Sequence, residues 1–380
     1  MEPTGEYLFR FKVTPFSVIR AVFRATLTHR KQYTVDFLSK CTAVWISGLA
    51  LFAGCAGGRQ APVSESGMEY ARWFDLDGDR VLVTSPYDGH TDTLYIDHPM
   101  DRIVCMSTSY IGFLQALGCD SVAVGVSGVD FVGNPYVRSH AREVGYDAAL
   151  DYEAILGLQP DLLMTYAVSS AEPPCFAKLR DLGIPVAVIH EHLESHPLAR
   201  AEYIKLFGAL TGCRGRADSL FASIRDRYEA LTVPEGPRKK VLLNIPYADE
   251  WYIPGGENYM SRLIEDAGGR VLGAVPGAVQ SSVIHVEKAY ALAREADVWL
   301  NPGWCTTLGQ LRSVHPLFDD FPVLRKSVWN NNRSLSPGGG NIFWETGPVS
   351  PDRVLDDLVR IFQGEEDADG TMNYFQKLSE

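Results

Sequence analysis

The chain has 380 residues, of which 46% are hydrophobic, and this is enough for two α/β cores. Its formal charge is −12, and because residues 1–40 hold seven Lys or Arg against three acidic residues, the rest carries −16. The phosphates of a nucleic acid would repel so acidic a body, and no Gly-x-x-x-x-Gly-Lys-Ser/Thr loop is present. We therefore expect neither a nucleic-acid partner nor a nucleotide cofactor.

Residues 1–55 are predicted to be an export signal with a long leader. The apolar stretch from Cys41 ends in small residues before Cys55, and it is too short to span a bilayer as a stable helix. This pattern is typical of a bacterial lipoprotein signal in which Cys55 becomes the lipidated first residue, and the alternatives are an ordinary secretory peptide or a short buried helix. The protein is therefore expected in the periplasm, held at the membrane by lipid on Cys55.

Five cysteines follow Cys55: Cys105, Cys119, Cys175, Cys213 and Cys305. Their number is odd and none is spaced as Cys-x-x-Cys, so no cysteine metal site is predicted. Whether one pair forms a disulfide is left open by the sequence.

Alternating strand and helix patterns divide the remainder of the chain. Residues 56–97 are predicted to be a tether and a β-hairpin that turns at Asp77-Gly78-Asp79. The further segments are an N-terminal α/β lobe (98–198), connecting helices that include a long one over 214–231 (199–232), a C-terminal α/β lobe (238–363) and a flexible tail (364–380).

Two segments share one pattern and indicate an internal repeat. Residues 151–166 and 286–303 each predict a helix, a turn that carries Asp161 or Asp297, and a buried strand that feeds a loop. A chain that builds this unit twice is predicted to contain two similar lobes with mainly parallel sheets. Because α/β folds bind ligands at strand ends and domain interfaces, the ligand is expected between the lobes.

Four segments in order behind the signal carry a family resemblance: 102–105, 152–163, 179–185 and 259–269. With them the chain resembles, over roughly residues 70–363, the substrate-binding lipoproteins of ABC importers for iron–siderophores, haem and vitamin B12. The resemblance implies two Rossmann-like lobes joined by a long spine helix, with a ligand cleft between them. It also implies a metal chelate as ligand, a membrane permease with its ATPase as partner, no cofactor and a monomeric state.

Candidate ligand-binding residues follow predicted strands of both lobes: Ser109, Tyr110, Tyr166, Glu191, His192, Tyr247, Trp251, Tyr252, Trp304 and Arg333. Several aromatic rings with a few charged groups suit a large, flat, partly polar ligand, although the same aromatic residues could instead fill the core.

Permease docking is a second role that the resemblance implies, through one surface glutamate on each lobe. Glu153 matches the glutamate of the first lobe, whereas the matching position of the second lobe is Arg270, so Glu265 or Asp266 is expected to substitute.

An iron–siderophore is the first expectation for the ligand, followed by cobalamin or haem. A second hypothesis is a zinc- or manganese-binding protein that uses His190 and His192, although their spacing is not that of a metalloprotease helix. A third is an exported chelatase-like enzyme. The sequence shows no Gly-x-Ser-x-Gly turn and no nucleophile–base spacing, so we expect no catalysis.

Overall fold

The computed structural model contains two five-stranded sheets with flanking helices. It describes residues 67–169, 173–231, 233, 236–248, 250–367 and 370–380. The predicted signal, Cys55 and most of the tether lie outside these residues. Among the described residues, every helix falls short of a membrane span in its length or in its apolar character.

A three-stranded antiparallel sheet precedes the first lobe. Its strands are β1 (Phe74–Asp77), β2 (Arg80–Thr84) and β3 (Thr91–Tyr95), in the order β1-β2-β3. The β1–β2 turn contains Gly78 at φ 58°, a left-handed conformation that glycine adopts without strain.

Lobe 1 is a parallel sheet in the order β10-β9-β4-β5-β6 with helices between its strands. Its elements are β4 (Ile103–Cys105), α1 (Thr108–Leu117), β5 (Ala123–Val126), α2 (Pro135–His140), β6 (Arg142–Glu143), β7 (Gly145–Tyr146), β8 (Ala149–Leu150), α3 (Tyr152–Leu158), β9 (Leu162–Thr165), α4 (Pro174–Asp181) and β10 (Val186–Val188). Strands β4 and β9 are buried at every position, as expected where helices cover both faces of a parallel sheet.

Three helices connect the lobes: α5 (Pro197–Glu202), α6 (Ile204–Leu210) and α7 (Arg214–Ala230). The 17 residues of α7 span roughly 25 Å at about 1.5 Å per residue. Its buried positions, Ala217, Phe221, Ile224 and Tyr228, recur at helical spacing and form a single apolar stripe. The helix therefore packs along one side, and it precedes the second lobe in the chain.

Lobe 2 has the strand order β13-β11-β15-β16-β17, parallel except for β17. Its elements are β11 (Lys239–Leu243), β12 (Trp251–Ile253), α8 (Tyr259–Asp266), β13 (Gly269–Val271), β14 (Ser282–Ile284), α9 (Val286–Glu295), β15 (Val298–Leu300), α10 (Leu308–Val314), β16 (Val328–Asn330), α11 (Ile342–Thr346), α12 (Pro351–Gln363) and β17 (Gln376–Lys377). The predicted α/β fold with two mainly parallel sheets is confirmed.

The two repeat units make matching contacts in the two sheets. In lobe 1, the backbone N–H of Asp161 donates to the carbonyl of Arg102 at 2.8 Å, and the carboxylate of Asp161 accepts the N–H groups of Asp101 and Arg102, both at 2.9 Å. In lobe 2, Asp297 does the same with Lys240, whose N–H lies 2.9 Å from the carboxylate. Each aspartate therefore fixes the start of its strand against the neighbouring strand.

The predicted flexible tail over residues 364–380 is wrong for its last part. Strand β17 pairs with β16, and Phe375 is fully buried. The buried carboxylate of Asp357 on α12 accepts the N–H groups of Asn373, Tyr374 and Phe375. The acidic residues Glu365, Glu366 and Asp367 belong to the connection before β17, whereas the residues that follow this connection complete the sheet.

Candidate functional site

The carboxyl ends of β4, β9 and β10 bring together the lobe 1 candidates. Ser109 lies in the first turn of α1, which follows β4, Tyr166 follows β9, and the His190–His192 turn follows β10. Because the carboxyl ends of parallel strands meet at one edge of a sheet, these side chains cluster there, and we call the cluster the lobe 1 wall. Tyr166 and His192 are half-buried, whereas Ser109, His190 and Glu191 are buried.

Glu191 is the charged centre of this wall. It is buried, and its carboxylate accepts bonds from the hydroxyl of Ser109 at 2.9 Å and from the backbone N–H of His192 at 2.9 Å. The guanidinium of Arg200 lies 3.5 Å away. Burial alone would raise the pKa of Glu191, but the imidazole of His192, the charge of Arg200 and the Ser109 hydroxyl together lower this pKa to about 2. Glu191 is therefore ionised at neutral pH and held in place by its neighbours.

Tyr166 and His192 form the aromatic part of the wall. Their ring centroids lie 5.8 Å apart in an edge-to-face arrangement, and Nε2 of His192 is 3.0 Å from the carbonyl oxygen of Ala167. Burial, helped by the charges of Asp147 and Glu191, raises the pKa of Tyr166, so its phenol stays neutral and can donate a hydrogen bond.

Two residues of this region were missed by sequence reasoning. Arg200 on α5 is buried, faces Glu191 and lies with its guanidinium carbon 4.3 Å from the centre of the Tyr259 ring. Tyr87, in the β2–β3 loop, donates to the carbonyl of Ala167 at 3.2 Å and packs edge-to-face on His190. No spacing pattern in the sequence places Tyr87 beside Ala167, which lies 80 positions further along the chain.

Lobe 2 presents its aromatic candidates after β11 and β15. Tyr247 and Tyr252 are exposed, and Trp304 is 57% exposed, which is unusual for so large an apolar side chain. The hydroxyl of Tyr252 donates to the carboxylate of Glu250. We refer to these three exposed residues, Tyr247, Tyr252 and Trp304, as the lobe 2 wall.

Buried asparagines support the loop that carries Trp304. The amide of Asn330 donates to the carbonyls of Gly303 and Cys305 at 2.9 and 2.7 Å, and the amide of Asn332 donates to Cys305 at 3.1 Å. Asn301, at the end of β15, has φ 55°, a left-handed conformation that asparagine tolerates better than most residues. These bonds hold the backbone on both sides of the exposed Trp304 side chain.

Three predicted ligand-binding residues occupy other places. Trp251 is fully buried, stacks on Trp299 at 5.8 Å and donates to the carbonyl of Leu243. Tyr110 is also fully buried, with its hydroxyl bonded to the carbonyl of Thr165 at 2.8 Å. Arg333 pairs with Asp367 and donates to the carbonyl of Phe375. Trp251 and Tyr110 therefore belong to the core, and Arg333 connects the C-terminal segment to the rest of lobe 2. These three residues are not part of the candidate site.

The lobes also meet directly through the loop and helix that precede α12. The carboxylate of Glu345 accepts the N–H groups of Gly133 and Asn134 at 2.6 and 2.9 Å. The hydroxyl of Ser336 donates to the carbonyl of Asp130 at 2.8 Å. Residues 336–345 of lobe 2 therefore close one side of the junction between the lobes.

The histidines give little support to a free metal site. Among the described residues, no three His, Cys, Asp or Glu side chains converge as ligands of a metal ion would. His190 is buried, and burial lowers its pKa to about 4, so its ring is neutral at physiological pH. A neutral imidazole is the form that binds a metal, so the His190 and His192 alternative stays a prediction, with no third ligand beside them among the described residues.

Two cavities lie beside the connecting helices rather than at the strand ends. One is lined by Arg200, Tyr259 and Trp344 among others. The second is lined in part by Tyr70 and Tyr228. Tyr166 and Trp304 line neither of them, so we do not assign these cavities to the ligand.

The predicted docking residues lie on the surface. Glu153 is exposed in the first turn of α3. Glu265 is exposed near the end of α8 and forms an ion pair with Arg238 at 3.1 Å. Arg270 is exposed on β13.

Comparison with known proteins identifies the family. A model of periplasmic binding proteins matches residues 103–320, which is more than half of the chain. The chain belongs to the periplasmic binding protein family. This result confirms the resemblance to substrate-binding proteins, and the members of this family bind ligands rather than transform them.

Relatives of this periplasmic binding protein share its fold at low identity. An uncharacterized lipoprotein of Methanocaldococcus jannaschii is 22% identical over 296 residues, which are 74% of this chain and 70% of the relative. A periplasmic haem-binding protein of Pseudomonas aeruginosa has 20% identity and a TM-score of 0.52, covering 74% of this chain and 99% of that chain. An Fe³⁺-hydroxamate transport protein of Saccharomonospora viridis gives the same identity, coverage and TM-score.

Proposed function

We propose that the protein captures a metal chelate, most readily an iron–siderophore, between the lobe 1 and lobe 2 walls and delivers it to an ABC permease. The observation that carries the proposal is the equivalent placement of Tyr166 and Trp304. Each follows the strand of one repeat unit, and each is at least partly open to solvent.

The composition of the two walls suits a chelate. Aromatic rings supply contact area to an organic scaffold at low entropy cost, and the neutral phenol of Tyr166 can orient its polar groups. Glu191 and Arg200 nearly cancel each other's charge, so the wall has little net charge to repel an anionic complex. Cobalamin or haem in the same role is the alternative cargo, and the haem-binding and hydroxamate-transport proteins that share the fold support this range of ligands.

The proposal includes a place in the cell and a partner. Lipid on Cys55 would hold the protein at the membrane in the periplasm, and the relative from M. jannaschii is itself described as a lipoprotein. Glu153 and Glu265 would meet arginines of the permease, one on each lobe, and such pairs steer association more than they add affinity. Arg238 competes for Glu265, so Glu153 is expected to contribute more to docking.

Native mass spectrometry of the purified protein is the direct test. The protein is offered a set of ferric siderophores, cobalamin, haem and zinc together. Retention of one chelate in a 1:1 complex supports the proposal and names the cargo class. Retention of zinc alone, or of nothing, contradicts it.

A further inference from the structure

Cys119 and Cys213 lie side by side although 94 residues separate them. Their Sγ atoms are 3.5 Å apart. Cys119 directly follows Gly118, which closes α1, and Cys213 directly precedes α7. The contact therefore joins the end of a lobe 1 helix to the start of the long connecting helix.

Neither cysteine belongs to the ligand walls. Each cysteine is half-buried, whereas Cys105 and Cys305 are buried. The Sγ atoms also lie 3.6 and 3.7 Å from the carbonyls of Leu117 and Thr211, which hold both side chains at the contact.

We propose that Cys119 and Cys213 form a disulfide once the chain has been exported. A disulfide requires the sulfur atoms to approach to about 2.0 Å, and side-chain rotation can supply the remaining approach of roughly 1.5 Å. The inference rests on the exported location in the proposed function, because disulfides persist in oxidising compartments.

The chemistry is a thiol–disulfide exchange with an oxidant that itself carries a disulfide, either an oxidoreductase of the envelope or glutathione disulfide. One cysteine loses its proton and attacks the oxidant, giving a mixed disulfide and a released thiol. The second cysteine then loses its proton and displaces the remaining thiol, so that the protein loses two electrons and two protons and the oxidant gains them.

The bond would make lobe 1 and α7 one covalent unit. It would close a loop that contains most of lobe 1 together with α5 and α6, and this restricts the unfolded chain far more than the folded one. Movement between the lobes would then be confined to the lobe 2 end of α7.

Peptide mapping of the full-length protein tests the proposal. The protein is incubated in glutathione disulfide, its remaining thiols are alkylated, and it is digested without reduction by trypsin and chymotrypsin. Cleavage after Tyr110 or Phe113 separates Cys105 from Cys119. We expect a linked peptide pair that contains Cys119 and Cys213 and disappears on reduction. Alkylation of both cysteines, or linkage of either one to a different cysteine, overturns the proposal.

Thermal unfolding gives a second readout. Reduction should lower the Tm of the oxidised wild-type protein by roughly 3–7 °C, because a loop of about 100 residues is released. The double variant Cys119→Ser/Cys213→Ser should show no such shift, while Cys175→Ser, on α4, should keep it. An equal shift in the double variant would contradict the assignment.

The two proposals fail separately. A linked Cys119–Cys213 peptide in a protein that retains no chelate would reject the binding function and keep the disulfide. Retention of a chelate by a protein in which both thiols are alkylated would reject the disulfide and keep the binding function.

Discussion

Glu191 and Glu194 are buried three residues apart, yet their surroundings shift their pKa values in opposite directions. Glu191 has a cation and two further donors beside it, which lower its pKa to about 2. Glu194 accepts the backbone N–H groups of Arg72 and Trp73, but burial outweighs these bonds and raises its pKa to about 7. The first belongs to the lobe 1 wall, and the second fastens the segment before β1 to the loop that precedes α5.

Glu194→Gln should change how stability depends on pH. A carboxyl whose pKa is raised from 4.5 to about 7 on folding contributes stability that is complete below pH 4.5 and is lost as the pH rises through 7. The wild-type protein should therefore lose roughly 3 kcal/mol of unfolding free energy relative to the variant between pH 4.5 and 8. Urea unfolding at several pH values measures the difference curve.

Glu191→Gln is the matched control for this pH experiment. Its carboxyl is ionised in the folded and unfolded states throughout pH 5.5–8, so this substitution removes no carboxyl titration from that range. A difference curve for Glu194→Gln that is flat across this range would show that Glu194 is ionised in the folded protein.

Trp251 and Tyr252 are adjacent residues, and the sequence could not predict which of the two is exposed. Trp251 and Tyr252 were both predicted in the site, but successive side chains of a strand point to opposite faces, and only Tyr252 is exposed on β12. The alternation of side chains along a strand predicts that one of the two residues is buried, but it does not identify which one. The answer depends on the packing of Trp251 on Trp299, a contact that no local pattern shows.

At the scale of elements, the repeat was the most predictive feature of the sequence. A helix, an aspartate and a buried strand were recognisable because each depends on local spacing, and the structure gives Asp161 and Asp297 equivalent roles. Tyr87 and Arg200 could not be placed in this way, because their neighbours are brought to them by the packing of separate elements.

Asp161→Ala and Asp297→Ala should both destabilise the protein, and by different amounts. Asp161 accepts two backbone N–H groups and Asp297 accepts one through the side chain. We expect losses of about 2–3 kcal/mol and about 1–2 kcal/mol, respectively, from the bonds to a charged acceptor. Urea unfolding of both variants checks the order. A smaller loss for Asp161→Ala would contradict the described contacts.

Gly340→Ala should weaken the direct contact between the lobes. A Cβ at this position would lie 2.0 Å from the carbonyl oxygen of Phe131, so the loop must move away from lobe 1. We expect a loss of about 1–3 kcal/mol in unfolding free energy, in the range of overpacked sites. Gly215→Ala is the matched control because a Cβ there meets nothing within 4 Å and α7 favours alanine over glycine. Equal stability of the two variants would refute the close approach.

For the whole molecule, the membrane anchor is the part that lies outside the described residues. The proposal assigns it to Cys55, so Cys55→Ala should leave the protein unprocessed or release it from the membrane. Fractionation of cells that produce the two forms measures the distribution. The same membrane-bound fraction for Cys55→Ala and the wild-type protein would remove the lipid assignment.

The identity of the cargo is also a property of the whole molecule, because it depends on two walls contributed by different lobes. Aromatic anchors at the centre of a binding site commonly contribute 1–3 kcal/mol each, which corresponds to about a 5- to 150-fold change in Kd. Tyr95 is 67% exposed on β3 and provides an aromatic control that belongs to neither wall.

The most direct measurement is therefore the Kd of the retained chelate, by titration calorimetry, for the wild-type protein, Tyr166→Ala, Trp304→Ala and Tyr95→Ala. Binding between the lobes predicts that Tyr166→Ala and Trp304→Ala each weaken affinity by about 5- to 150-fold, while Tyr95→Ala leaves it unchanged. Unchanged affinity in both wall variants would contradict a ligand site between the lobes.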